Sequence, residues 1–216
     1  MPDESGTTTD IASELGGLDR VSLGGRLRDQ RMRRNLSVRA LARLIRCSPS
    51  LVSQIESERV VPSVSTLYAL VRALDVSMDW LFDRPGSARS APAAGATPQG
   101  HSPVMRPHDR PRIELEHGVR WERLTPSDEP GVEFMEVVYP ARERPTRSPH
   151  AIQHAGRDYA VLLQGQLSVQ VGFQKWELGP GDSLAFDGAV PHHFWNCGDE
   201  PVRAIFVVLD RGRERL

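Results

Sequence analysis

The apolar positions of this chain follow two different periods. In the N-terminal part they recur at helical spacing. Val38, Leu41, Ala42 and Ile45 fall at i, i+3, i+4 and i+7, and Leu67, Leu70, Val71 and Leu74 repeat the pattern. Hydroxyl residues stand where such helices would begin. Ser37 opens one, Ser63 another and Ser77 a short last one through Met78, Trp80 and Leu81. Ser48 is followed by Pro49, which places a capping hydroxyl before a proline at the first helical position, where the missing N–H costs nothing. A first helix is expected over roughly 23–33. Two of these elements, 37–45 and 49–57, are separated by little more than Arg46 and Cys47, the layout of a helix-turn-helix.

Further on the period switches to two. Leu167, Val169 and Val171 alternate with Ser168 and Gln170; Trp176 and Leu178 flank Glu177; Leu184 and Phe186 flank Ala185. Turn residues separate these runs at Gly172, Gly179-Pro180-Gly181, Gly188 and Asn196-Cys197-Gly198-Asp199. Strands are also expected at Ile113–Leu115, at Val132–Tyr139 and after His154. Val202–Leu209 is almost continuously apolar, so it is expected to be buried on both faces. Many short strands between regular turns predict a closed or sandwiched antiparallel barrel. Between the two regimes, residues 84–111 are rich in proline, glycine, alanine and serine and lose all periodicity, the composition of a flexible linker. The expected division is an acidic disordered tail at 1–19, a helical domain at 20–83, a linker at 84–111, a barrel at 112–210 and a charged tail at 211–216.

Charge sharpens the picture of the helical part. The net charge of −1 is unevenly spread, since residues 20–60 carry ten arginines against Asp29, Glu56 and Glu58. A compact basic block points to an anionic partner, nucleic acid first. No apolar run is long enough to span a membrane, and the N-terminal stretch lacks the basic and apolar regions of a signal peptide. No membrane partner is expected, and a cytoplasmic protein is. Cys47 and Cys197 flank no metal-binding spacing, so both are expected to be free thiols.

The stretch from Leu27 to Phe82, with its order of helices, spacing and caps, resembles the lambda-repressor-like (XRE-type) DNA-binding domain. That resemblance implies an all-α five-helix domain over about 22–82. It places Pro49, Ser50 and Gln54 at positions facing base edges and Ser48 at the N-cap near backbone phosphate. It also pairs Arg31 with Glu56 in a salt bridge between the first and third helices. Gln54 has the chemistry for a bidentate pair with adenine, whereas Arg39, Arg43 and Arg46 suit phosphate neutralisation. Arg26, Arg28, Arg33 and Arg34 extend the basic surface. Where the family usually carries glycine after the recognition helix, this chain has Glu58, so the helix is expected to run on or to end without a left-handed cap.

The stretches HAGRDYAVLLQGQLSVQV and LGPGDSLAFDGAVPHHFWN resemble the two motifs of the cupin barrel, a double-stranded β-helix or jelly roll. His154, Asp158 and His192 fall on metal-ligand positions of those motifs. Ile152 replaces the family's first histidine, which leaves three ligands rather than four. Two imidazoles and a carboxylate suit Fe, Mn, Ni or Zn. Tyr159, Phe186 and Phe194 are candidate lining residues of an effector pocket, and Arg142, Arg144, Arg147 and His150 could meet an anionic ligand. His193 is expected to point outwards. The whole chain thus resembles the XRE-cupin transcriptional regulators. The implied function is an effector-responsive regulator of double-stranded operator DNA, working as a homodimer, with repression as the simpler default and no catalytic residues. Two alternatives accompany it: a non-haem iron enzyme of the epoxidase kind, and a DNA-binding dimer with a purely structural barrel.

Overall fold

The computed structural model describes residues 22–82, 102–127, 129–142 and 151–209. The acidic tail expected at 1–19, the charged tail at 211–216, and Arg144, Arg147 and His150 lie outside the described residues.

Among the described residues the N-terminal part is four α-helices and a closing turn: α1 (Leu23–Arg33), α2 (Val38–Leu44), α3 (Pro49–Glu56), α4 (Val64–Leu74), then a 3₁₀ turn at Asp79–Phe82. The fifth helix expected from the resemblance is that 3₁₀ turn. Each α-helix starts the same way. Ser22, Ser37, Ser48 and Ser63 accept the backbone N–H three residues on, at 3.1–3.2 Å, which satisfies an N–H the helix cannot. Ser77 does the same for Trp80. The helices bury Leu27, Leu41, Ala42, Ile45, Val52, Ile55, Leu67, Leu70 and Leu74 against one another. Arg31 of α1 forms a two-pronged pair with Glu56 of α3, at 2.6 and 2.9 Å. Gly24 makes that crossing close, since a Cβ there would lie 2.4 Å from the Ile55 carbonyl oxygen.

The helix ends correct one expectation. Helix α3 stops at Glu56, and Glu58 takes the left-handed conformation at φ 59°. Its N–H reaches the Ile55 carbonyl, and the Arg59 N–H reaches that of Gln54, at 3.1 and 2.9 Å. This is the two-bond Schellman closure that glycine usually provides. The C-terminal end of α3 is therefore fixed despite the missing glycine. Asn35 and Arg46 close α1 and α2 in the same way.

Among the described residues the C-terminal part holds nine strands: β1 (Arg112–Glu114), β2 (Arg120–Arg123), β3 (Val132–Tyr139), β4 (Arg157–Gln164), β5 (Leu167–Val171), β6 (Gln174–Leu178), β7 (Ser183–Asp187), β8 (His192–Trp195) and β9 (Val202–Leu209). They form a six-stranded sheet in the order β1-β2-β3-β9-β4-β7 and a three-stranded sheet β6-β5-β8, with each of these pairings antiparallel. Val202, Ala204, Phe206 and Val208 are buried, while the alternate positions of β9 are not. Burial of β9 on both faces is thus overturned: it is a one-faced strand whose partly covered side begins with exposed Arg203. The end of the proline-rich stretch is also ordered. Arg110 bridges the buried carboxylates of Glu122 and Glu136, at 3.2 and 2.7 Å, and Arg203 pairs with Glu136 at 2.6 Å.

The two parts touch. The Glu116 N–H donates to the Pro62 carbonyl just before α4, at 3.0 Å. The Tyr68 ring of α4 meets Trp121 of β2 edge to face, with centroids 5.7 Å apart.

Candidate functional site

The helical domain presents an outward surface built by periodicity. On α2, Leu41 and Ala42 point to the core, which leaves Arg39 and Arg43, four residues apart, exposed on the other face. Arg46, in the turn, is exposed as well. On α3, Val52 and Ile55 face inwards, and Pro49, Ser50 and Gln54 are exposed. Ser48 is exposed too, but its hydroxyl is committed to capping. Two arginines are not free surface charges. Arg26 donates to the Leu81 carbonyl and stacks over Trp80 at 4.5 Å, and Arg34 pairs with Asp75 at 2.7 Å.

Inside the barrel, antiparallel register sets one row of inward positions. Glu133 of β3 lies opposite Val208 of β9, which lies opposite Asp158 of β4, which lies opposite Phe186 of β7. Asp158 and His192 are buried, at 2% and 1% exposure. With His154 they form a cluster whose ligand atoms lie within 4.8 Å of one another. His154 Nε2 and Asp158 Oδ2 approach to 3.3 Å, yet neither of these buried atoms has a well-aligned hydrogen bond. Both imidazoles have their other nitrogen committed: His154 Nδ1 to the Ala155 carbonyl at 3.1 Å, His192 Nδ1 to the Val190 carbonyl at 2.9 Å. A carbonyl can only accept, so Nδ1 carries the proton and Nε2 offers its lone pair. Two cis ligands of a first-row ion sit about 3 Å apart, close to the 3.3 Å found here. The donor set fits a divalent metal, and Ile152 on the neighbouring bridge adds no ligand.

Electrostatics separate the two histidines. At His154 burial opposes the imidazolium, but the Asp158 carboxylate outweighs it and raises the pKa. At His192 burial dominates and lowers it. Gly188 makes the His154 pose possible, since a Cβ there would fall 2.5 Å from the ring.

Phe186 and Phe194 pack on His192, with centroids 4.8 and 5.8 Å away. Tyr159 is a correction. It alternates with buried Asp158 and Ala160, so it stands on the outer face of β4, under Arg157 at 5.9 Å. His193 faces away from the cluster and borders a cleft beside Ser63 and Glu116. Arg142 is exposed and paired with Asp199 at 2.8 Å, away from the cluster.

Tyr68 and Glu133 went unnoticed in the sequence. Tyr68 belongs to the helical domain, yet its ring stacks on His154, centroids 5.0 Å apart at 13°. Enclosure, with the charges of Glu133 and Asp158, pushes its hydroxyl pKa well up. Tyr68, Val64, Trp121, Met135, Phe194 and Phe206 are among the side chains that close around the chamber, leaving a cavity of about 30 Å³. That is room for about two waters.

A helix-turn-helix domain family matches residues 22–81, and a cupin domain family matches residues 136–208. The chain thus carries an XRE-type helix-turn-helix domain followed by a cupin domain. It is similar to the HTH-type transcriptional regulator PuuR of Escherichia coli (strain K12), 26% identical over 174 residues, 80% of this chain and 86% of that one. Among solved structures it is similar in fold to an HTH_3 family transcriptional regulator from Vibrio cholerae, with TM-score 0.56, 21% identity, and 87% and 94% of the two chains covered. A weaker likeness is to hydroxypropylphosphonic acid epoxidase from S. wedmorenis, with TM-score 0.44, 20% identity, and 87% and 96% covered. The two domains and the homology to PuuR support DNA binding and transcription regulation. No helix among the described residues is long and apolar enough to cross a membrane.

Proposed function

We infer that this XRE-cupin chain is a sequence-specific repressor, a homodimer on operator DNA, whose barrel binds a small-molecule effector. The observation that carries this reading is the contact that joins the exposed surface of the helical domain to the chamber of the barrel. Helix α3 exposes Pro49, Ser50 and Gln54 beside Arg39, Arg43 and Arg46, while α4 of the same domain sends Tyr68 into the barrel chamber. In this reading Gln54 and Ser50 read base edges, the arginines neutralise phosphate, and Ser48 holds the start of α3 against the backbone. His154, Asp158 and His192 would hold a divalent ion, which supplies an electrophilic anchor for an anionic or carbonyl group of an effector. Phe186 and Phe194 form the apolar wall. An effector acts by binding two arrangements of the domains unequally.

The test is a titration of chelator-treated protein with DNA from upstream of its own gene, repeated with Mn, Fe, Ni or Zn added. Affinity that survives scrambled competitor, and shifts with at least one ion, supports the reading. Scrambled DNA competing equally at all conditions contradicts it. One helix-turn-helix covers a short site, so binding needs two half-sites. Sedimentation is expected to give a dimer mass at micromolar concentration, and a monomer on and off DNA would contradict the dimer.

The two-histidine, one-carboxylate set also favours a second reading, an Fe(II)-dependent oxygenase. The exposed Pro49, Ser50 and Gln54 beside Arg39, Arg43 and Arg46, a surface suited to DNA, weigh against it. Substrate-dependent oxygen uptake by the Fe(II)-loaded protein would reverse that order.

A further inference from the structure

We propose that Tyr68 is the resident occupant of the barrel's ligand chamber, and that the chamber takes a planar ring bearing a hydrogen-bond donor, which must evict Tyr68 to bind. The proposal rests on the regulator reading for its consequence, but not for its geometry.

Four observations carry it. Tyr68 lies nearly parallel on the His154 ring at 5.0 Å and edge-on to Trp121 at 5.7 Å, so it occupies an aromatic slot rather than a surface groove. Its hydroxyl is directed to Glu133, the inward carboxylate in the same row as Asp158. The space left around it is about 30 Å³, far below the few hundred Å³ of an ordinary ligand site. Finally, the residues flanking Tyr68 on α4 are helical core: Leu67, Leu70, Val71 and Leu74 are all buried. A residue of one domain thus fills the binding space of the other.

These facts define the ligand class. A competitor must replace a ring on His154 and a donor to Glu133, which a phenol or a comparable planar ring with a hydroxyl or amino group does. A bulky ligand without a donor would not replace the hydrogen bond that the Tyr68 hydroxyl gives the Glu133 carboxylate. The facts also define the coupling. Tyr68 can leave the slot by a change of its own rotamer or by a shift of α4, and α4 is packed through its core face onto the helices that hold α3. By the second route chamber occupancy and α3 placement become one equilibrium.

The experiment uses the full-length protein and reads the carbethoxylation rate of His154 by peptide mass spectrometry, with exposed His108 and His117 as internal references. Tyr68→Ala is expected to label at His154 at least about five-fold faster than the wild type, the factor of a modest opening free energy. Millimolar p-cresol is expected to restore protection in Tyr68→Ala, because it returns the missing ring and hydroxyl. Glu133→Gln approaches the same contact from the barrel side and is expected to raise the rate less. If Tyr68→Ala is folded by circular dichroism and His154 stays protected, the occupant idea is overturned. If Tyr68→Ala unfolds, Glu133→Gln decides: unchanged His154 labelling there overturns it. Saturating operator DNA is expected to change His154 labelling in the wild type, and equal rates with and without bound DNA overturn the coupling. Failure to bind any DNA specifically would instead remove the regulator reading while the Tyr68→Ala comparison still stands.

Discussion

Single residues decide where this chain turns and where its cluster forms. Glu58 sits at φ 59°, a conformation that costs an L-residue about 1 kcal/mol or more. Glycine relieves that cost but loosens the unfolded chain. Glu58→Gly is expected to stabilise the helical domain by about 0.5–1 kcal/mol, seen as a melting point a few degrees higher by far-UV circular dichroism. An unchanged or lower melting point would mean that Glu58 contributes contacts that offset its strain. Gly188 is constrained by space rather than by φ. A methyl group there would meet His154 Cε1 at 2.5 Å and Asp158 Oδ2 at 2.9 Å. Gly188→Ala is expected to cost about 1–3 kcal/mol in urea unfolding, the range for forced repacking. It should also displace the His154 imidazole resonances in NMR spectra. Unaltered stability with unaltered histidine signals would contradict the close approach.

At the scale of elements, the helix starts were legible and the ends were not. Serine caps carry a chemical signature in sequence, because a side-chain oxygen before an apolar period has one economical use. The closures at Asn35, Arg46 and Glu58 have none, because the left-handed residue is not glycine and the backbone bonds that hold it are invisible in the sequence. Strand β2, Arg-Trp-Glu-Arg, was missed for a similar reason. Its buried Glu122 looks like surface until Arg110, Arg112 and Arg120 are seen around it. Tyr159 was misassigned because inward and outward faces exchange with a shift of one residue. The junction of α1 and α3 rests on Arg31 and Glu56, whose side chains are only 10% and 8% exposed. Glu56→Ala is expected to cost about 3 kcal/mol, because it leaves a buried guanidinium with fewer partners. Glu56→Gln should cost less, and equal losses in urea unfolding would show that packing, not charge, holds the junction.

The whole molecule is more than two motifs joined by a linker. The histidines and the aspartate of the cluster could be picked from the sequence by the resemblance to the cupin motifs, and the structure brings those three together. Tyr68 could not be picked, since on the helix it reads as one more aromatic beside a core face. Its meaning comes from a domain contact that no local period encodes. The coupling proposed across that contact has value only if α3 reads DNA. The most direct test is a fluorescence titration of labelled upstream DNA at two salt concentrations with wild type, Arg43→Ala and Gln54→Ala. Gln54→Ala is expected to lose about 1–3 kcal/mol on the specific site and little on scrambled DNA, whereas Arg43→Ala should weaken both and lower the salt slope by about one. Equal losses on both DNAs for Gln54→Ala, or no loss in either variant, would contradict α3 as the reader and with it the regulatory account.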